Sequence, residues 1–227
     1  KVTHPDHANT VAIISDPEMT ATTVFGYIDL GVTLNNYPIA EIETQVDEWK
    51  ATGALGIFFD DFGYDFHTDR ARQNAAVDYA RSQGMLVAAN AWDPHDAFSS
   101  FVGPFNPTGT PPSLGAGDFY LSESHQIILG GYQPEAAWQS KANILAALQS
   151  AIGFHIWSIT TTDGSPYEAD QFHYAWFSAL LYGHEATGWG EHWFSAVSSL
   201  APYRERPLAG SGDPFDAGTA FLSPIAA

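Results

Sequence analysis

Gly56-Ile57-Phe58-Phe59-Asp60-Asp61-Phe62-Gly63-Tyr64-Asp65 is the stretch from which the rest of the chain is read. Leu55 to Phe59 is a short apolar run of β-forming residues, long enough for a buried strand and too short for a helix. It ends in two adjacent carboxylates, Asp60 and Asp61, and a third follows at Asp65. Barrels and open α/β sheets present catalytic groups in this way, on acids at the C-terminal ends of buried parallel strands. Carboxylates among aromatic residues suggest acid/base chemistry on a sugar. A helix N-cap or a solvated turn would use one acid similarly; two side by side favour a functional pair.

Outward from this stretch, strands and helices alternate. Val11 to Ile14 is a β-branched run closed by Ser15-Asp16-Pro17, and Val24 to Leu30 is the next strand. Pro38 to Thr52 has Ile39, Ile42, Val46 and Trp49 at helical spacing, with Pro38 at its start and Gly53 past its end. Thr68 to Gln83 reads as a second helix, Met85 to Ala89 as a strand and Asp118 to Ser122 as another after a Gly/Pro-rich loop. Pro134 to Ile152 is a helix, Phe154 to Ile159 a strand and Glu168 to Tyr182 an aromatic-rich helix; Thr219 to Leu222 is a last strand candidate. About eight strands alternating with helices predict an α/β chain folded as an irregular, TIM-like (β/α)8 barrel, a single domain over residues 1–227. No Ser/Gly/Pro-rich linker divides it.

Acids outnumber bases 26 to 8, for a formal charge of −18, which disfavours nucleic acid and anionic membrane surfaces as partners. A cationic or neutral ligand fits better, although such charge also serves solubility. The absence of cysteine excludes disulfides and thiol chemistry. No apolar stretch reaches membrane-span length, so no membrane insertion is expected. The chain starts at Lys1 without a signal-like segment, and the expectation is a processed or trimmed fragment of a longer chain, extracellular or at the cell surface.

Asp29, Asp60, Asp61, Asn90, Glu123 and Asp163 fall at or just past strand C-termini, which a barrel gathers at one face. Phe58 and Asp60 share one side of their strand and Phe59 and Asp61 the other, so one Asp should enter the barrel mouth and the other face a neighbouring loop or strand end. Phe119, Leu121 and Glu123 share a face, which makes Glu123 a candidate partner. Tyr27, Tyr64, Trp92, Tyr120, Trp157 and Trp189 lie near the same ends, where they would either stack on sugar rings or pack in the core. Candidate substrate-binding residues are Tyr27, Asp29, Tyr64, Asn90, Trp92, Tyr120, His125 and Trp157. His4, His7, His125 and His155 form no compact ligand motif. There is no phosphate-binding Gly-rich loop and no Gly-x-Ser-x-Gly elbow.

Val11-Ala12-Ile13-Ile14, then Gly26-Tyr27-Ile28-Asp29, the helix with Ile42, Val46 and Trp49, and Gly56-Ile57-Phe58-Phe59-Asp60-Asp61 together resemble the spherulin-4 family. That family is related to hydrolases of α-1,4-linked galactosamine polymers. The resemblance covers about residues 11 to 125. It implies that Asp60 and Asp61 match an Asp-Glu pair, and that Glu123, in Asp118-Phe119-Tyr120-Leu121-Ser122-Glu123, matches a later Glu. Asp61 is one methylene shorter than the family's Glu, and a misplacement of about 1 Å can cost on the order of a hundredfold in rate.

The resemblance implies a glycoside hydrolase acting on an amino-sugar polysaccharide, with Asp60 as nucleophile or stabiliser, Glu123 as acid/base, and Asp61 either tuning and orienting them or exchanging roles with Asp60. No metal or organic cofactor is implied. Two other readings stay open. One is a non-catalytic glycan-binding or cell-surface structural barrel, and the other a metal-dependent hydrolase built from the histidines and acids.

Overall fold

The computed structural model describes residues 4–164 and 168–190, so the strand expected at Thr219 to Leu222 lies outside the described residues. The chain is α/β and forms two compact units. The first comprises residues 4–120 with Ile152–Phe154, and the second residues 121–151, 155–164 and 168–190.

In the first unit β1 (Phe25–Asp29), β2 (Gly56–Asp60) and β3 (Leu86–Asn90) lie side by side in chain order, all parallel. The register sets Tyr27 beside Phe58, Asp29 beside Asp60, and Phe58 beside Ala88. Alternation sends Ile28, Leu30, Ile57, Phe59, Val87 and Ala89 to one face, where all are buried. α2 (Ile39–Thr52) packs on β1 and β2, and α3 (Arg70–Ser82) packs on β3 and on α2. Their buried residues are the periodic ones, Ile42 and Val46 in α2, Ala76, Val77 and Ala80 in α3. Burying each large apolar side chain contributes about 1.5–3 kcal/mol, so this layer holds the unit together. The opposite face carries Phe25, Tyr27 and Asp29, then Phe58 and Asp60, then Ala88 and Asn90.

Local signals set the helix ends. Gly53 closes α2 at φ 95°, and the Asp69 carboxylate caps α3 by accepting from the Arg72 backbone N–H at 2.8 Å. Trp49 lies over Gly26 on the helix-facing side of β1, and its Nε1–H donates to the Tyr27 carbonyl at 3.0 Å. A Cβ at Gly26 would sit 2.2 Å from the indole ring. Gly26→Ala is therefore expected to destabilise the protein by about 1–3 kcal/mol, the usual cost of overpacking, measured by urea unfolding.

One sequence expectation is corrected. Val11 to Ile14 is not a strand but the end of α1 (His7–Ile14), which precedes the short α4 (Pro94–Phe98) and the other helices of the unit. Among the described residues the β-branched run has no strand beside it, and side chains complete the helix ends: Thr10 Oγ1 donates to Asp6 O and Ser15 Oγ to Val11 O. Tertiary placement overrides the weak β preference of four residues.

β4 (Phe119–Glu123) begins in the first unit and ends in the second. The second unit continues with a hairpin, β5 (Ile127–Ile128) and β6 (Gly131–Tyr132), then α5 (Glu135–Ile152), β7 (His155–Ile159), α6 (Ala169–Leu181) and β8 (Ala186–Gly188). β7 and β8 are parallel, with Trp157 beside Ala186. The hairpin turn places Leu129 and Gly130 at φ 47° and 75°, the paired left-handed geometry of a two-residue loop. A ring of eight strands is not seen among the described residues. Nor, among them, is any helix long and apolar enough to cross a membrane.

Candidate active site

The C-terminal ends of β1 and β2 bring Asp29, Asp60 and Asp61 together in the first unit. Asp60 sits on the same face as Tyr27 and Asn90 and accepts three hydrogen bonds. Tyr27 Oη donates to Oδ2 at 2.9 Å, while Asn90 Nδ2 and the Asp61 backbone N–H both donate to Oδ1 at 3.0 Å. An acceptor held only by donors is the arrangement suited to an ionised carboxylate. Asp29 is buried; its Oδ1 accepts from the Gly31 N–H at 2.7 Å and its Oδ2 from Asn35 Nδ2 at 2.5 Å.

Asp61 behaves differently. Burial first, then the Asp60 and Asp29 charges and a hydrogen bond with Asp29, push its pKa from the ordinary 3.8 up to about 7. Its backbone turns back at φ 54°, a left-handed conformation that Asp tolerates better than most residues. The expected split, one Asp inward and one toward a neighbouring strand end, takes this form: Asp60 joins Tyr27 and Asn90, and Asp61 turns to Asp29. Gly31 makes the approach possible, because a Cβ there would lie 2.9 Å from Asp61 Cβ and 3.1 Å from Asp29 Oδ1.

The segments after β1 and β2 are fastened by side chains at and after Thr68. Buried Thr68 donates to the Asp61 carbonyl at 2.8 Å, Gln73 Nε2 to the Phe62 carbonyl at 2.6 Å, and Arg72 Nε to the Leu30 carbonyl at 2.7 Å. Buried Arg70 donates to the carbonyls of Asp96, Ala97 and Ser99 at the end of α4. Its guanidinium also lies 5.9 Å from the Tyr64 ring centre. Tyr64 stacks on Phe105 at 5.4 Å, and its backbone N–H donates to Asp96 Oδ2 at 2.9 Å. These bonds hold the carboxyl groups on rigid backbone.

The aromatic candidates divide. Tyr27 and Trp92 are each 52 % exposed, with ring surface open to a ligand, and Tyr27 adds the hydroxyl bond to Asp60. Tyr120 is fully buried: it packs against Phe98 and Phe154, and its hydroxyl donates to the Ala91 carbonyl. That ring has no surface left for stacking on a sugar, because its position in β4 faces the core.

In the second unit Glu123 ends β4 half-buried and Trp157 is half-buried in β7. His125 is fully buried with Nδ1 2.8 Å from Ser122 Oγ, and its ring meets that of His184 edge-on at 4.9 Å. Burial holds His125 well below the ordinary histidine range and brings His184 down to about 4, so both are neutral near pH 7. His125 is therefore closed to a ligand arriving from solvent. His155 pairs with Glu185. Among the described residues no group of three or more His, Asp or Glu side chains is placed to share a metal ion.

Sequence reading missed Gly31, Asn35 and Thr68, which position the acids. Only Gly31 left a signal, as a glycine two residues after an acid-bearing strand end.

No family model and no curated protein matches the chain. Among solved structures, the glycoside hydrolase domain of PelA from Pseudomonas aeruginosa is similar at 13% identity and TM-score 0.48, over 85% of each chain. A proposed phosphonomutase from Burkholderia cenocepacia J2315 is similar at 13% identity and TM-score 0.37, over 87% of this chain and 72% of that one. A variant of the citrate synthase SbnG is similar at 12% identity and TM-score 0.36, over 83% of each.

Proposed function

We propose that the chain is a glycoside hydrolase of TIM-like (β/α)8 architecture and spherulin-4 kinship. In this reading it cleaves an amino-sugar polysaccharide of the α-1,4-galactosamine or N-acetylgalactosamine type, in an extracellular or cell-surface setting. One observation carries it: at the ends of two adjacent parallel strands, Asp60 is held by three donors while neighbouring Asp61 keeps its proton to about pH 7. Glycoside hydrolysis needs such a division, one carboxylate and one carboxylic acid on the same bond.

Asp60 serves as nucleophile or as the base and stabiliser of the positive sugar transition state. Asp61 is the better-supported proton donor, and Asp29 shares its proton and orients it. Glu123 remains the other donor candidate, on the family resemblance alone. Tyr27 and Trp92 offer ring faces to the sugar, and Asn90 steadies Asp60.

The test is turnover of purified protein on an α-1,4-linked galactosamine polymer, read by reducing-end release. Glu123→Gln separates the two donors. A loss of about a hundredfold or more is expected if Glu123 transfers the proton, and a small change if Asp61 does. No release from any amino-sugar polymer, with binding retained, would overturn the hydrolase in favour of a glycan-binding barrel.

A further inference from the structure

The segment joining β1 to α2, residues 30–38, is held in place by α3. Arg72 donates from Nε to the Leu30 carbonyl and from Nη2 to the Tyr37 carbonyl, each at 2.7 Å, so one guanidinium pins both ends. Between them the Val32 N–H donates to the Phe66 carbonyl at 3.0 Å and the Asn36 N–H to the Gly31 carbonyl at 3.2 Å. This frame directs the amide of Asn35, an exposed residue, onto buried Asp29, where Nδ2 donates to Oδ2 at 2.5 Å. The Gly31 N–H donates to the other oxygen, Oδ1, at 2.7 Å. Both oxygens of Asp29 therefore meet an N–H donor, and the same carboxyl is hydrogen-bonded to Asp61.

Two carboxyl groups in such contact hold one proton between them, and N–H donors favour the charged form of the group they reach. We infer that Asn35 is a positioning residue for the hydrolysis: its amide holds Asp29 as the accepting member of the pair and so keeps the shared proton on Asp61. Without that amide the proton can cross from Asp61 to Asp29 with no change in total charge. Asp29 then donates, and Asp61 is a carboxylate with no proton for the leaving oxygen. The charged and titratable groups around the pair are Asp60 and Asp65 on the segment of Asp61, Tyr27 on β1, and Arg72 on α3, which faces Asp29. Asn35 carries no charge, so replacing it leaves their field in place and alters hydrogen bonding alone. The use of the proton rests on the hydrolase reading, but its position can be measured without substrate.

The test is carboxyl-carbon NMR of Asp29 and Asp61 at pH 6, beside kcat and KM on the galactosamine polymer. Parent, Asn35→Leu and Asn35→Gln are compared, with urea unfolding as the folding control. In the parent, Asp61 is expected at the protonated shift and Asp29 at the ionised one. Asn35→Leu should move the two shifts toward each other and lower kcat about tenfold with little change in KM, the scale of one hydrogen bond to a charged group. Its alkaline limb should not move to lower pH, because the amide stabilises Asp29 both before and after the pair loses its proton. Asn35→Gln keeps an amide and should recover most of the parent's kcat and shifts. Parent-like shifts in Asn35→Leu, a displaced proton with unchanged kcat, or an Asn35→Gln as impaired as Asn35→Leu would overturn the role of Asn35. Cleavage by the parent with both readouts unaltered in Asn35→Leu would remove that role and leave the hydrolase. A proton displaced in Asn35→Leu, in a protein that cleaves no amino-sugar polymer, would do the reverse.

Discussion

Asp60→Asn is expected to lower turnover on a galactosamine polymer by about a hundredfold or more, the scale of a lost acid, base or nucleophile. The protein should still fold. An asparagine keeps the oxygen that accepts from Asn90 Nδ2 and the Asp61 N–H, and it replaces only the Oδ2 that accepts from Tyr27. The Tyr27 hydroxyl can rotate to accept from the new amide, because a phenol oxygen both donates and accepts. The substitution therefore removes charge and little else, and the thermal midpoint should stay within a few degrees of the parent. Full activity in this variant would end the assignment of Asp60.

Asp61→Asn is expected to cost a comparable factor and to change two pH profiles. The parent's kcat should fall as pH rises through about 7, because only protonated Asp61 can donate. Stability follows the same group with its own sign. The folded pKa of about 7 lies above the ordinary 3.8, so between these values the folded state binds more protons than the unfolded one. Stability at this site is then highest below pH 3.8, declines as pH rises to about 7, and is level beyond. Asp61→Asn removes that slope and should make the protein more stable than the parent at pH 8, measured by urea unfolding at pH 5 and pH 8. Asparagine also keeps the left-handed backbone, which Asp61→Ala would strain by about 1–2 kcal/mol. A parent whose kcat does not change from pH 6 to pH 8 would remove Asp61 as the donor.

Much of this site is legible in the sequence. The run from Gly56 to Asp60 has the length and residue types of a buried strand, and the helices on either side carry apolar residues at helical spacing. Such patterns are local, so Val24 to Leu30, Pro38 to Thr52 and Met85 to Ala89 emerge close to the observed β1, α2 and β3. Because side chains alternate strictly along a strand, Phe58 and Asp60 could be assigned to one side of theirs and Phe59 and Asp61 to the other. Val11 to Ile14 shows the limit of that reasoning: a run of four residues, three of them β-branched, forms a strand only when another strand lies beside it, and none does among the described residues.

What the sequence determined by itself is therefore the alternation of elements, the faces they bury and the acids at strand ends, since each follows from periodicity along a few residues. Only the tertiary structure decided how those acids differ. Asp60 and Asp61 are neighbours of one chemical type, and nothing in their spacing says that one would gather three donors and the other a proton. That difference comes from Tyr27 and Asn90 on adjacent strands, from Asp29 across the β1–β2 pair, and from Gly31 leaving room for the approach. The interior likewise decided against Tyr120 and His125, each beside a promising acid in the sequence yet wholly buried. Electrostatic environment and burial are sums over residues distant in the chain, and they exist only once it has folded.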